Sequence, residues 1–274
     1  MTNLAQLAVP EGVRQQVHRR WPAVGPAWSA VVVDELHELL AEHHATHPQV
    51  MPARYGLVVS ADTPTGPLVF RSTPDPDGGH QATVSRALAK LGVSPRLHQV
   101  RTTDIGIWTV MDRVTPGIPL GDLTEPPTPG AIVEMLQPLA DQPAPDADLP
   151  SIFHWLRGRL TDDHLNDLPR GRSVAPLPER SQAIILLDEL AQSHIPSLCH
   201  GDASPWNILT KHRDHLSLID PRGTSGELAY DVAIAVSKLD TNTFQSAIAF
   251  LSKELRVDLD RIYSWVSVAK AARV

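Results

Sequence analysis

Cysteine is almost missing from this chain: Cys199 is the single one in 274 residues. No disulfide can form within the chain, and a lone cysteine fits a reducing compartment. Aromatic residues are scarce, at 5%. No uninterrupted apolar run approaches the roughly 20 residues of a membrane helix. The longest candidates, 28–33 and 184–187, are short and flanked by charge. The opening Met1-Thr2-Asn3-Leu4 lacks the basic-then-apolar pattern of a secretion signal. These features predict a soluble cytoplasmic protein with no membrane partner. A basic excess is missing too. The formal net charge is −7, which argues against a nucleic-acid partner. That charge is compatible with a cationic small substrate and equally with ordinary solubility.

What is present suffices for a sizeable core. Hydrophobic residues make up 42% and charged residues 20%, which excludes wholesale disorder. The 25 prolines imply many defined loops rather than a repeat. A length of 274 residues suits two closely packed lobes. Val13, Val17 and Trp21 stand at helical spacing over 10–23, behind Pro10. Val31, Val32, Leu36, Leu39 and Leu40 do the same over 28–44. Apolar runs at 54–60 and 67–71, joined by a Pro/Gly turn, predict a β-hairpin. A helix through Val84, Leu88 and Leu91 follows, with Gly92 placed as a C-cap. Residues 105–111 predict another strand, broken by Pro116-Gly117. Beyond it the helical signal dominates, over 129–140, 151–160, 178–193 and from Tyr230 onward. Short strands are predicted at 197–199 and 216–219. The change of character near 112–120 predicts two parts: 1–111 with a helical extension and a small sheet, and a helical 112–274.

The chemistry is concentrated in Cys199-His200-Gly201-Asp202-Ala203-Ser204-Pro205-Trp206-Asn207-Ile208-Leu209, followed by Leu218-Ile219-Asp220-Pro221. Phosphoryl transfer asks little covalent chemistry of a protein. It needs a carboxylate to orient and deprotonate the attacking hydroxyl, and oxygen ligands that hold Mg²⁺ against nucleotide phosphates. Asp202, with Asn207 five positions on, can place both functions around one metal–phosphate centre. Asp220, at the end of a predicted β-hairpin, would complete the metal shell. Taken singly, each residue is equally a turn or cap residue. The full set at both spacings points to a kinase-type site.

His-Gly-Asp-x-x-x-x-Asn-x-Leu followed by Ile-Asp-Pro resembles the catalytic loop of the aminoglycoside phosphotransferase family, which shares the bilobal protein-kinase-like fold. Ile219-Asp220-Pro221-Arg222-Gly223 with Tyr230-Asp231 resembles its streptomycin 6-phosphotransferase and hydroxyurea-type branch. The resemblance implies an α/β (α+β) fold, with a small β-sheet lobe and a mainly helical lobe. It implies Asp202 as catalytic base, Asn207 and Asp220 as Mg²⁺ ligands, and ATP or GTP as co-substrate. His200 would brace the loop and Asp231 would tether it. Met111-Asp112-Arg113-Val114 resembles the linker that reads adenine through backbone groups, at Asp112 and Val114. The acceptor would be a small molecule, an aminoglycoside-like antibiotic with streptomycin foremost, or another metabolite or natural product.

The chain departs from the family in its N-terminal half. Arg71 stands where the family has a phosphate-binding Lys, and Gln81 where it has the paired Glu. Arg keeps the charge but not the compact ammonium. No glycine-rich phosphate loop is evident, and 60–66 occupies its place. Either Arg71 does the work of the Lys, or the protein is a degenerate nucleotide-binding module. Asp162, Asp163 and Asp167 read as a solvated acidic face or a cation site, and His194, His212 and His215 as surface or loop residues.

Overall fold

The computed structural model describes residues 7–125, 127–169, 171–212, 215–236 and 241–274, the side chains of 241–244 excepted. Met1–Leu4, on which the expectation about a secretion signal rests, lies outside them. The chain divides into two compact units, 1–82 with 95–113, and 83–94 with 114–274.

The first unit opens with α1 (Glu11–Arg20) and α2 (Gly25–Glu42). Trp28, Val32, Leu36, Leu39 and Leu40 recur on one face of α2 and are all buried. Five strands follow: β1 (Thr46–Val50), β2 (Leu57–Thr63), β3 (Gly66–Thr73), β4 (Leu97–Thr103) and β5 (Gly106–Asp112). They form one antiparallel sheet in the order β1-β2-β3-β5-β4. The predicted hairpin is β2–β3, turning at Gly66 with φ +122°. β1 and β4 have no counterpart among the strands expected from sequence.

Leu68 and Phe70 on β3 join Trp28, Leu36 and Trp108 in this unit's core. Both tryptophans find partners there: Trp28 Nε1 donates to Ser72 Oγ at 3.0 Å and Trp108 Nε1 to Glu35 Oε2 at 2.7 Å. Side chains alternate along a strand, so Arg71 projects to the face opposite Phe70. The start of α3 (Gly78–Lys90) supplies Gln81 to that face, 3.2 Å from Arg71.

In the second unit the rest of α3 puts Val84 and Leu88 into a different core. Gly92 ends the helix at φ +76°, as a C-cap glycine does. The helices are α4 (Pro129–Leu136), α5 (Ile152–Thr161), α6 (Leu177–Ala191), α7 (Leu228–Val236), α8 (Thr241–Leu255) and α9 (Leu259–Ala271). A 3₁₀ turn over Gln137–Leu139 extends α4. β6 (Pro116–Pro119), β8 (Ile208–Lys211) and β9 (Leu216–Leu218) form one small sheet. β7 (Ser197–Leu198) and β10 (Ser225–Gly226) form another. The strands expected at 197–199 and 216–219 therefore lie in separate sheets. Each instead pairs with a strand too short to leave a period in the sequence. Every described residue of α7 from Ala229 to Val236 is buried. Trp265 of α9 packs edge-on against Tyr230 at 5.2 Å and against Phe153 at 4.9 Å.

Two sequence readings are sharpened in this unit. His194 lies in the loop after α6, but its side chain turns inward: it is 11% exposed, 4.5 Å from the Phe153 ring and 3.5 Å from Glu227. Asp162 and Asp163 are exposed, as a solvated acidic face would be, whereas Asp167 is mostly buried and is not part of one. Asp163 and Asp167 answer two buried arginines, Arg180 and Arg159, the second pair at 2.6 Å. An arginine this buried must be paired. Each also donates to backbone carbonyls, Arg159 to Ala272 and Arg180 to Ala175 and Leu160.

Candidate active site

The loop after β7 is built around one buried carboxylate. Asp231, in the first turns of α7, accepts from His200 N–H at 2.7 Å and Gly201 N–H at 2.9 Å. The Cys199 thiol lies 3.5 Å from the same carboxylate. Burial pushes the Asp231 carboxyl above its usual value, against the pull of His200 and the two N–H donors. Burial and the neighbouring Asp231 push the Cys199 thiol well above its own. An inaccessible, protonated thiol is a packing group, not a nucleophile.

Gly201 turns at φ +77°. A Cβ there would stand 2.8 Å from Thr224 Oγ1 and 2.9 Å from Arg222 Cβ, so both the conformation and the space require glycine. His200 is fully buried, and its Nε2 meets the Ile219 carbonyl at 2.9 Å. Its Nδ1 lies 3.3 Å from the Asp202 N–H. His200 thus braces the loop and is out of a substrate's reach.

Asp202 is half-buried. Arg222 Nη2 donates to its Oδ2 at 2.6 Å, and Arg222 Nε donates to the Gly201 carbonyl at 3.1 Å. The same guanidinium lies 3.8 Å over the Trp155 ring. Among the described residues, Asp202 Oδ1 accepts no hydrogen bond. Asn207 Nδ2 donates to the Asp202 carbonyl at 2.9 Å, which turns its amide oxygen the other way. Ile219 N–H donates to the Asn207 carbonyl at 2.9 Å, and Ile208 pairs with Leu218. Asn207 and Asp220 therefore stand at the same end of the β8–β9 hairpin. Asp220 is exposed, in a left-handed conformation with φ +56°. Among the described residues, no group of three His, Cys, Asp or Glu forms a ready-made metal site. Mg²⁺ rarely uses one, because it keeps water and phosphate oxygens in its shell. Asn207 and Asp220 offer the hard oxygens it favours.

In the first unit Arg71 Nη1 donates to Gln81 Oε1 at 3.2 Å. This unit has no lysine: the first in the chain is Lys90, and none lies between 95 and 113. Met111 and Asp112 end β5. The Asp112 N–H is committed to the Arg96 carbonyl at 3.0 Å and its side chain to His98 at 2.6 Å. A base read at Asp112 would meet the carbonyl, not the N–H. Val114 opens the second unit. A Cβ on Gly117 would stand 2.6 Å from its carbonyl, and Gly117 turns at φ +74°.

Sequence reasoning missed the contacts of Arg222 with Trp155 and with Asp202. Arg222 belongs to the run after Asp220, but its contact with Asp202 depends on the turn at Pro221-Arg222-Gly223. Trp155 lies 47 positions before Asp202, on a helix with no motif.

The profile of the family described as "Phosphotransferase enzyme family" matches residues 57–263. No curated protein sequence matches the chain. Among solved structures, aminoglycoside phosphotransferase APH(3'')-Id from Streptomyces rimosus is similar, with TM-score 0.60 and 16% identity over 88% of this chain and 98% of that one. A thermostable mutant of aminoglycoside phosphotransferase APH(4)-Ia, in ternary complex with ADP and hygromycin B, has TM-score 0.58 and 14% identity over 86% and 97%. The ethanolamine kinase of Plasmodium vivax has TM-score 0.58 and 14% identity over 88% and 77%. These likenesses give the fold, a mixed α/β kinase-like one with an antiparallel sheet. The family match gives the class of reaction: this chain belongs to the phosphotransferase enzyme family, whose chemistry is phosphoryl transfer to an alcohol group.

Proposed function

We propose that this protein transfers the γ-phosphate of ATP or GTP to a hydroxyl of a small, amine-bearing molecule, aminoglycoside-like antibiotics first and streptomycin foremost. The observation that carries the reading is the division of labour on Asp202. Its Oδ2 is held by Arg222, while its Oδ1 is left for a substrate hydroxyl. Oδ1 takes the proton as the hydroxyl oxygen attacks the γ-phosphorus. The bond to the β,γ-bridging oxygen breaks and the nucleoside diphosphate leaves. Mg²⁺ bound by Asn207 and Asp220 would neutralise phosphate charge during this step. Arg71 and Gln81 serve the nucleotide phosphates, and Met111, Asp112 and Val114 the base. The kinase-like neighbour with bound ADP supports a nucleotide co-substrate. The lone buried Cys199 supports a cytoplasmic location. The net charge of −7 argues against a nucleic-acid partner. Among the described residues, no helix is long and apolar enough to cross a membrane.

A metabolite kinase is the second reading. The ethanolamine kinase is about as similar in fold as the antibiotic kinases, at TM-score 0.58 against 0.60. Asp167 is also mostly buried and engaged by Arg159, which removes one carboxylate a polycation would otherwise use. A phosphate-transfer screen with ATP, GTP and Mg²⁺ over aminoglycosides, amino alcohols and sugars separates the two, with products identified by mass spectrometry. Asp202→Ala should abolish transfer while leaving nucleotide binding intact. No thermal shift at millimolar nucleotide, and no transfer to any acceptor, would overturn the kinase reading.

A further inference from the structure

Gln81 is held from both sides. Its Oε1 accepts from Arg71 Nη1 at 3.2 Å, and its Nε2 donates to Asp75 Oδ2 at 3.1 Å. The other Asp75 oxygen accepts from the Asp77 N–H at 3.0 Å, in the turn that leads into α3. A carboxylate only accepts hydrogen bonds, so it can face only the NH₂ end of the amide. The oxygen end is then forced toward the guanidinium. Arg71 lies on the central strand β3, paired to β2 at Val58 and to β5 at Thr109, so its backbone is fixed.

We propose that Asp75 is a positioning residue for nucleotide binding: through Gln81 it supplies, at one remove, the carboxylate that holds Arg71 for the phosphates. The inference rests on the kinase reading above. It explains why a neutral residue at 81 is compatible with a cation at 71. The negative charge is not lost from the unit but sits six positions earlier, with an amide relaying it. Burial of Asp75 among these partners fits a structural carboxylate rather than a surface one, since a half-buried charge needs donors around it.

The test uses the full chain and isothermal calorimetry with Mg²⁺-ATP and, separately, adenosine. In Asp75→Asn, Oδ1 can still cap the Asp77 N–H, but an NH₂ group now faces Gln81. The Gln81 amide flips and presents its own NH₂ to Arg71. ATP affinity should fall at least about tenfold, with adenosine affinity unchanged, because only the phosphates meet Arg71. Gln81→Met leaves the Asp75 turn intact and should give the same split, which covers the case in which Asp75→Asn folds poorly. The rescue is specific. Adding Gln81→Glu to Asp75→Asn puts a carboxylate directly against Arg71, with the new amide at position 75 donating to its other oxygen, and should restore ATP affinity. Equal loss for ATP and adenosine, or no loss in either single variant, overturns the relay while leaving the kinase reading standing. Wild-type protein that binds neither ligand overturns both.

Discussion

Arg222 and Asp202 are joined by a 2.6 Å contact from Nη2 to Oδ2, and the arginine reaches it by stacking on a tryptophan and bonding the Gly201 carbonyl. The pair is only partly exposed, at 24% and 26% of the two side chains. Three separate contacts on one planar group leave the guanidinium a single orientation, and with it the carboxylate. A lysine could reach Asp202 but could not also stack and bond the carbonyl in one plane.

Arg222→Lys therefore tests orientation at constant charge. The expected result is a fall in kcat of about 10²-fold with the KM for ATP little changed, because the loss falls on how Asp202 meets the hydroxyl. Steady-state kinetics with the best acceptor from the transfer screen measure both constants. A rise in KM with kcat preserved would place Arg222 in nucleotide binding instead.

Asp231 makes a prediction on stability rather than on rate. Replacing it with Ala removes the acceptor of two buried N–H groups, His200 and Gly201, at the turn that carries the loop. Each unsatisfied buried donor costs about 1–3 kcal/mol, so a loss of roughly 2–6 kcal/mol is expected, read from urea or thermal unfolding. Asp231→Asn should lie between the two proteins, because one amide oxygen can accept from one N–H while its NH₂ faces the other. A thermal midpoint unchanged in Asp231→Ala would show that another group, or water, takes over the two N–H donors.

The helical faces and the Asp202–Asn207–Asp220 spacing were legible because each is carried by local order: apolar residues at helical period, and a motif within one loop. The strands β1 and β4 were not. Thr46–Val50 is exposed on four of five residues, and Leu97–Thr103 has no fully buried position, so neither leaves an alternating apolar pattern. Their pairing is fixed instead by the neighbours they meet across the sheet. The charged residues divide in the same way. Arg159 and Arg180 read as unremarkable arginines and Arg222 only as one residue of a motif run, yet their partners lie 8, 17 and 20 positions away and are met only after folding. Gln81 against Arg71 was legible as a pair of positions. Asp75 behind it was not, because it lies in a Pro/Gly-rich turn where an aspartate is unexceptional.

Glu227 yields a prediction on pH. Burial alone would raise its carboxyl, but the nearby His194 ring and hydrogen bonds from Arg261 and Trp265 outweigh it and hold the group below its usual 4.5. Arg261 is bidentate here, with Nε and Nη2 at 2.6 and 2.7 Å from the two oxygens. A depressed folded value means that the unfolded chain binds the proton more readily, so stability rises with pH across that window. Glu227 thus contributes fully above about 4.5, and its contribution is lost as pH falls through the folded value. Asp75 and Asp231, both raised by burial, act with the opposite sign: what they contribute is present below their usual 3.8 and is lost as pH rises through their folded values. The wild-type acid profile is the sum of these slopes, and Glu227→Gln removes one of them. Urea titrations from about pH 3 to about pH 7, in steps of about one unit, should show the variant destabilised at neutral pH, where Arg261 loses its charged partner. The gap to wild type should close as the acid limit is approached. A gap that stays constant down to the lowest pH would mean that Glu227 stabilises the fold by packing, and that its charge contributes nothing.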